Sequence, residues 1–323
     1  MRALAHNSRR RSNKSVRFNP NLHVLGCRSK TELVDIAFRA FMGLEGSRRL
    51  VSDPERLRDF IWEVSRNYHN NPYHNFHHAV DTTNVMAWLL SLPRVRACLP
   101  DLYVFVLLVA ALVHDLDHPG TDNNWEIKTQ SERARRYNND AVLEHHSLDR
   151  ALEILRLPGF DVFAGLPAKP HKEALQLLGI TVLATDFSLH RAFLQELETF
   201  LERPRQLNTA SRDFLTLLAR TLIKASDISN TTKEFTRARL WGKRVMREYW
   251  AQGEQEKKRD LPLGPLNDRN KVEFHAAQGW FIENQVTPLF LLLSRIEEEV
   301  QDAVDTLAVN GGLYRRLAQK KPG

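Results

Sequence analysis

Apolar residues recur at helical spacing along nearly the whole chain from residue 30 onward. Over residues 30–67 the pattern starts on capping residues. Ser52-Asp53-Pro54-Glu55 offers a capping side chain with Pro and Glu in the first turn, and Leu57, Phe60, Ile61 and Val64 then mark one face. Ala79–Leu92 continues helically to Pro93, and Tyr103–Val113 is an unbroken apolar run that reads as a buried helix, too short to cross a bilayer. Ser131–Tyr137 and Val142–Leu157 follow, the second stopped by Pro158-Gly159. Glu173–Leu201 makes one or two helices with Leu175, Leu178, Val182 and Leu189 toward the core, and Phe214–Ala225 and Arg237–Gln252 repeat the pattern. Asp260–Arg269 reads as a loop, and Phe274–Ala303 as mostly helix kinked at Pro288. Sustained period-two alternation, a Gly-rich phosphate loop and internal repeats are all missing from the sequence. The expected fold is all-α: a basic, disordered tail over 1–29, one compact multi-helix domain over 30–315, and a short basic tail over 316–323.

Composition changes this picture only at the N-terminus. Of 323 residues 42% are apolar and 26% charged, ordinary for a globular protein, while the net charge of +7 is unevenly spread. Arg2, Arg9, Arg10, Arg11, Lys14 and Arg17 lie in the first 18 residues with no acidic partner. Such a segment reads first as a disordered tail; a targeting presequence, a polyanion-binding arm or a kinase site at Ser12 are the other readings. It lacks the apolar stretch of a secretory signal, and no aromatic-interleaved nucleic-acid motif accompanies it, so no nucleic-acid partner is expected. Two cysteines, Cys27 and Cys98, give no disulfide framework and suit a reducing, cytoplasmic setting.

The chemistry begins where the apolar run ends, in His114-Asp115-Leu116-Asp117-His118-Pro119-Gly120. If the helix continues to Pro119, His114 and His118 share a face. Two imidazoles and two carboxylates at the end of a hydrophobic rod are costly to bury unless they bind something, and a metal is the obvious candidate. His74 and His78 are likewise four residues apart, and Asp227 ends the apolar helix that starts near Phe214. Singly each signal is weak, since a lone buried His is more often a hydrogen-bonded core residue. In order, His78, His114-Asp115 and Asp227 form the ligand set of an HD-type metal hydrolase, suited to zinc or to zinc paired with magnesium or manganese.

With these motifs in place the chain resembles the catalytic domain of class I 3′,5′-cyclic nucleotide phosphodiesterases over about residues 50–300. The resemblance is carried by Tyr73-His74-Asn75 with His78-Ala79, the stretch from His114 to Gly120, Leu143-Glu144-His145-His146, Leu183-Ala184-Thr185-Asp186, Ser226-Asp227-Ile228-Ser229-Asn230, and Gln278 with Phe281. It implies that His78, His114, Asp115 and Asp227 hold a tight metal, zinc, and that Asp115 bridges to a second, magnesium or manganese. A hydroxide bridging the two would attack phosphorus. It implies further that His74 protonates the leaving 3′-oxygen, that Glu144 orients His74, and that His118, Asn123 and Thr185 act through the surrounding network. Gln278 would read the purine edge, Phe281 would stack on the base, Tyr73, Trp241 and Val245 would wall the pocket, and Asn230 would face the base edge. The implied partner is a small-molecule cyclic nucleotide. Asn230 resembles the cyclic-AMP-selective members, which favours cyclic AMP over cyclic GMP.

The chain departs from the family pattern at several places. Asn139 stands where the family has Asp, His145 and Ser147 replace Asn and the second His after Glu144, and Thr231 follows Asn230. Gly279-Trp280 replaces a small-apolar–Gly pair, and packing of Trp280 against a neighbouring helix is the expectation. Two other functions stay open on sequence: another HD-type phosphohydrolase acting on a nucleotide, and a catalytically silent cyclic nucleotide receptor. The oligomeric state is not read from the sequence.

Overall fold

A computed structural model describes residues 18–202 and 211–319. Helices form all of its regular structure, with no strand among the described residues. The centre is the Asp101–Val113 helix, in which every residue from Tyr103 to Val113 is buried. A helix apolar on all sides must be enclosed by others. Here the Glu45–Leu50, Phe76–Ser91, Ala168–Leu183 and Arg212–Asp227 helices surround it. Truncating Leu107 or Leu108 to Ala in this rod removes contacts on every side and costs roughly 2–5 kcal/mol. No single described helix is long and apolar enough to cross a membrane.

The functional side chains sit where these helices end. Asn75 caps the Phe76–Ser91 helix, its Oδ1 accepting from the backbone N–H groups of His77 (2.9 Å) and His78 (3.2 Å). The central helix stops at Val113, five residues before the expected stop at His118, so His114 and His118 do not share a helical face. The helix's last carbonyls already have partners: Leu112 O accepts from the Tyr68 hydroxyl at 2.9 Å and Val113 O from the Leu116 N–H at 3.0 Å. Asp117, in the left-handed region at φ 61°, then carries the chain away, its carboxylate held between His69 and His146 at 2.7 and 2.8 Å.

Both expected tail boundaries move. Residues 18–29 pack on the core through buried Val24 and half-buried Phe18, Leu22 and Cys27. Lys233 Nζ donates to Pro20 O at 2.6 Å and pairs with buried Asp81 at 3.0 Å, fixing this segment against the Phe76–Ser91 helix. The six basic residues and Ser12 lie outside the described residues. At the other end the Gln301–Gln319 helix runs through residue 315 with Tyr314 buried in the core. The kink expected at Pro288 is a single π-helical turn, Ile282–Val286, just before it. The wider turn accommodates a residue that has no N–H to offer.

Candidate active site

Three chain segments bring four metal-competent atoms together. His78 lies one turn into its capped helix, His114 and Asp115 follow the end of the central helix, and Asp227 is the last residue of Arg212–Asp227. The atoms His78 Nε2, His114 Nε2, an Asp115 oxygen and an Asp227 oxygen all lie within 4.8 Å of one another. His78 Nε2 is 3.3 Å from His114 Nε2, 3.0 Å from Asp227 Oδ1 and 3.4 Å from Asp115 Oδ2. His114 Nε2 is 3.1 Å from Asp115 Oδ2 and 3.3 Å from Asp227 Oδ1. Ligands bound at about 2.0–2.1 Å to one ion are separated by about 3–3.4 Å, and two nitrogens with two carboxylate oxygens suit zinc. The donor set fits a divalent cation. His114 Nδ1 donates to Ala111 O at 3.0 Å, which fixes the tautomer and leaves Nε2 with a lone pair facing the cluster.

His74 is set up differently. Its Nδ1 lies 2.6 Å from Glu248 Oε2, and Glu248 Oε1 accepts from the backbone N–H groups of Tyr73 (2.5 Å) and His74 (2.8 Å). Burial pushes the His74 imidazole down, but the Glu248 charge and hydrogen bond outweigh it and raise it to about 9. Glu248 moves the other way: burial raises it, and the His74 charge and bond overcome this to hold it at about 2. Both directions favour a proton on His74. His118 stacks on His74 with centroids 3.9 Å apart. Burial and then the His74 charge lower His118 to about 3, so it is a neutral neighbour, with Nδ1 accepting from Gly120 N–H at 3.0 Å.

The expectation that Glu144 orients His74 is corrected by this geometry. Glu144 accepts from Asn123 Nδ2 at 2.9 Å, and burial raises it to about 7 even though that bond lowers it. The partner of His74 is Glu248, on the Phe235–Lys258 helix, 174 residues away. Nothing in the short motifs points to it. The available signal was a Glu on the same helical face as Val245 and Gln252, inward positions where a carboxylate needs a reason. Lys224 was missed as well. Its buried ammonium donates to Ala184 O at 2.9 Å, clamping the Thr185–Asp186 turn onto the last turn before Asp227.

Both arrangements face one cavity of about 580 Å³, also lined by Tyr73, Glu144, Thr185, Asn230, Val245, Gln278 and Phe281. Trp241, expected as a wall, is instead buried behind Tyr73, edge-on at 5.7 Å. Trp280, expected to pack against a neighbouring helix, is 57% exposed and lines the cavity. The cause lies one residue earlier: Gly279 faces Tyr314, where an added Cβ would touch at 3.5 Å, and the next position on the helix turns outward. Of the departures near Glu144, the Ser147 hydroxyl donates to Leu116 O at 2.9 Å and His145 stacks on Tyr137 at 5.6 Å. Asn139 takes a left-handed backbone (φ 61°), a conformation Asn tolerates.

The model of the 3′,5′-cyclic nucleotide phosphodiesterase family matches residues 73–307, most of the chain. The mouse "High affinity cGMP-specific 3′,5′-cyclic phosphodiesterase 9A" is 33% identical over 252 residues, 78% of this chain and 47% of that protein. The Caenorhabditis elegans "Probable 3′,5′-cyclic-AMP phosphodiesterase pde-4" is 32% identical over 275 residues, 82% of this chain and 40% of that protein. The chain thus spans less than half the length of either. Among solved structures, the phosphodiesterase domain of the Salpingoeca rosetta rhodopsin phosphodiesterase aligns with TM-score 0.88 and 28% identity, covering 94% of this chain and 92% of that one. LmjPDEB1 in complex with IBMX aligns with TM-score 0.87 and 30% identity, covering 93% and 92%. Fold, metal-competent cluster and sequence agree: the chain belongs to the 3′,5′-cyclic nucleotide phosphodiesterase family.

Proposed function

We propose that this chain hydrolyses a 3′,5′-cyclic purine nucleotide to the 5′-monophosphate, cyclic AMP ahead of cyclic GMP. The observation that carries this reading is the placement of the His74–Glu248 pair and the four-ligand cluster on one cavity that also holds Gln278 and Phe281. His78, His114, Asp115 and Asp227 would hold zinc, with Asp115 shared with magnesium or manganese. Such ions neutralise the phosphodiester and acidify water. A water that has given up one proton to solvent bonds through its oxygen to phosphorus, the P–O3′ bond breaks, and its electron pair stays on O3′. His74 Nε2, the nitrogen that Glu248 does not engage, gives O3′ its proton. Glu248 keeps the resulting imidazole oriented for reprotonation.

Phe281 offers an aromatic face to the base. Asn230 lines the cavity, and its Nδ2 donates to the Tyr73 hydroxyl at 2.5 Å, which orients the carboxamide and leaves Oδ1 as its acceptor. An acceptor complements the exocyclic amino group of adenine and opposes the carbonyl of guanine, which supports cyclic AMP as the preferred substrate. The test is hydrolysis of cyclic AMP and cyclic GMP side by side, with nucleoside triphosphates and an acyclic phosphodiester as controls. A higher kcat/KM for cyclic AMP, with the controls inert, is expected. Preference for cyclic GMP would overturn the base assignment, and turnover of the controls alone would overturn the reaction.

A further inference from the structure

The Phe235–Lys258 helix carries a glycine in its interior, at Gly242, where the backbone has no need of one. Glycine is among the poorest helix formers, and Gly242 does not adopt the left-handed conformation that would demand it. The requirement comes from across the site. A Cβ on Gly242 would lie 2.5 Å from Gln278 Oε1 and 2.9 Å from its Cδ, inside contact distance. The carboxamide of Gln278 occupies the volume that any other side chain at 242 would fill. Among the described residues nothing hydrogen-bonds that carboxamide: Asn230 is engaged with Tyr73, and Gly242 contributes space alone. With no polar partner to hold it, the amide is seated by shape, in a notch cut into the helix.

We infer that Gly242 is a positioning residue for the nucleotide site, setting how deep the Gln278 carboxamide sits and where its donor and acceptor meet the purine edge. The inference rests on the proposal that Gln278 reads the base. It predicts that a single methyl group at 242 acts on the base without touching it. The clashing atoms are the far end of a flexible side chain, so the fold absorbs Gly242→Ala by pushing the carboxamide into the cavity. The metal cluster and His74 are left in place.

The test is kinetics on Gly242→Ala, Gln278→Ala and the double variant with cyclic AMP and cyclic GMP, together with thermal midpoints. Gly242→Ala is expected to raise KM about tenfold, the worth of one well-placed hydrogen bond, with kcat little changed. In the Gln278→Ala background the same methyl has nothing to displace, so it should leave KM where Gln278→Ala alone put it and raise the thermal midpoint. The midpoints test the steric coupling independently of turnover, since the methyl should stabilise the helix more in the double variant than in the wild type. If Gln278→Ala raises KM but Gly242→Ala does not, the role of Gly242 is overturned and base reading by Gln278 stands. An equal rise in KM from Gly242→Ala in both backgrounds also overturns it. An unchanged KM in Gln278→Ala removes the base-reading assignment, and this inference with it.

Discussion

The four-ligand cluster and the His74–Glu248 pair face the same cavity, yet they are built in opposite ways. Each ligand of the cluster stands at or near a helix end, and two are positioned by neighbours close in sequence: Asn75 caps the turn that carries His78, and Ala111 O orients His114. The pair joins a histidine just outside one helix to a glutamate in the middle of another, with 174 residues between them. The cluster gathers groups whose mutual repulsion and desolvation are relieved by a cation. The pair needs no ion, because the charge of each member stabilises that of the other. The comparison separates two tasks, holding metal and holding a proton, that can be removed one at a time.

The largest effect should come from the cluster. Asp227→Ala or His114→Ala leaves three of the four ligands and should abolish turnover together with bound metal, both read by elemental analysis and activity on one preparation. Normal turnover in either variant would dissolve the distinction between the regions. His74→Ala should lower kcat by about 10²–10⁴-fold while metal content stays at the wild-type level. Glu248→Gln should be milder, about tenfold in kcat, and should move the pH profile. His74 acts as an acid, so kcat falls as pH rises through its pKa, and in the wild type that decline waits until about pH 9. Removing the carboxylate charge leaves burial as the main influence on His74 and lowers its pKa, so the alkaline decline should shift to lower pH. An unmoved decline would mean that Glu248 does not set the proton on His74.

How much of this was legible depends on how unusual a residue is in its setting. His78, His114, Asp115 and Asp227 could be picked out because imidazoles and carboxylates abutting apolar helices are rare, and the all-α fold because apolar spacing of three and four runs through the whole domain. Glu248 could not, because a glutamate inside an amphipathic helix is ordinary until its partner is known, and Lys224 and Gly242 are hidden for the same reason. The misplacement of Trp241 and Trp280 has a second cause. Both hinge on rotation about a helix axis, and the glycine at 279 that turns Trp280 outward takes its meaning from Tyr314 across the contact. The early stop of the central helix depends on the Tyr68 hydroxyl, and the turn after it on Asn67 O, which accepts from the Asp117 N–H at 3.1 Å; both are distant in sequence.

The smallest effect belongs to the edge of the site. Ala141, before the helix that carries Glu144, holds a left-handed backbone at φ 37° and makes no side-chain cap. Ala141→Gly should relieve that strain and stabilise the fold by about 1 kcal/mol, seen as a higher urea midpoint, without changing kcat. A drop in midpoint would show that the methyl group packs usefully there.

The division of labour is tested most directly with a cyclic nucleotide whose bridging 3′-oxygen is replaced by sulfur, a leaving group that departs as a stable thiolate and needs no proton. His74→Ala and Asp227→Ala would be compared on this substrate and on the natural one. The account predicts that the His74→Ala defect largely disappears on the sulfur substrate while the Asp227→Ala defect persists on both. An equal loss for His74→Ala on the two substrates would contradict it.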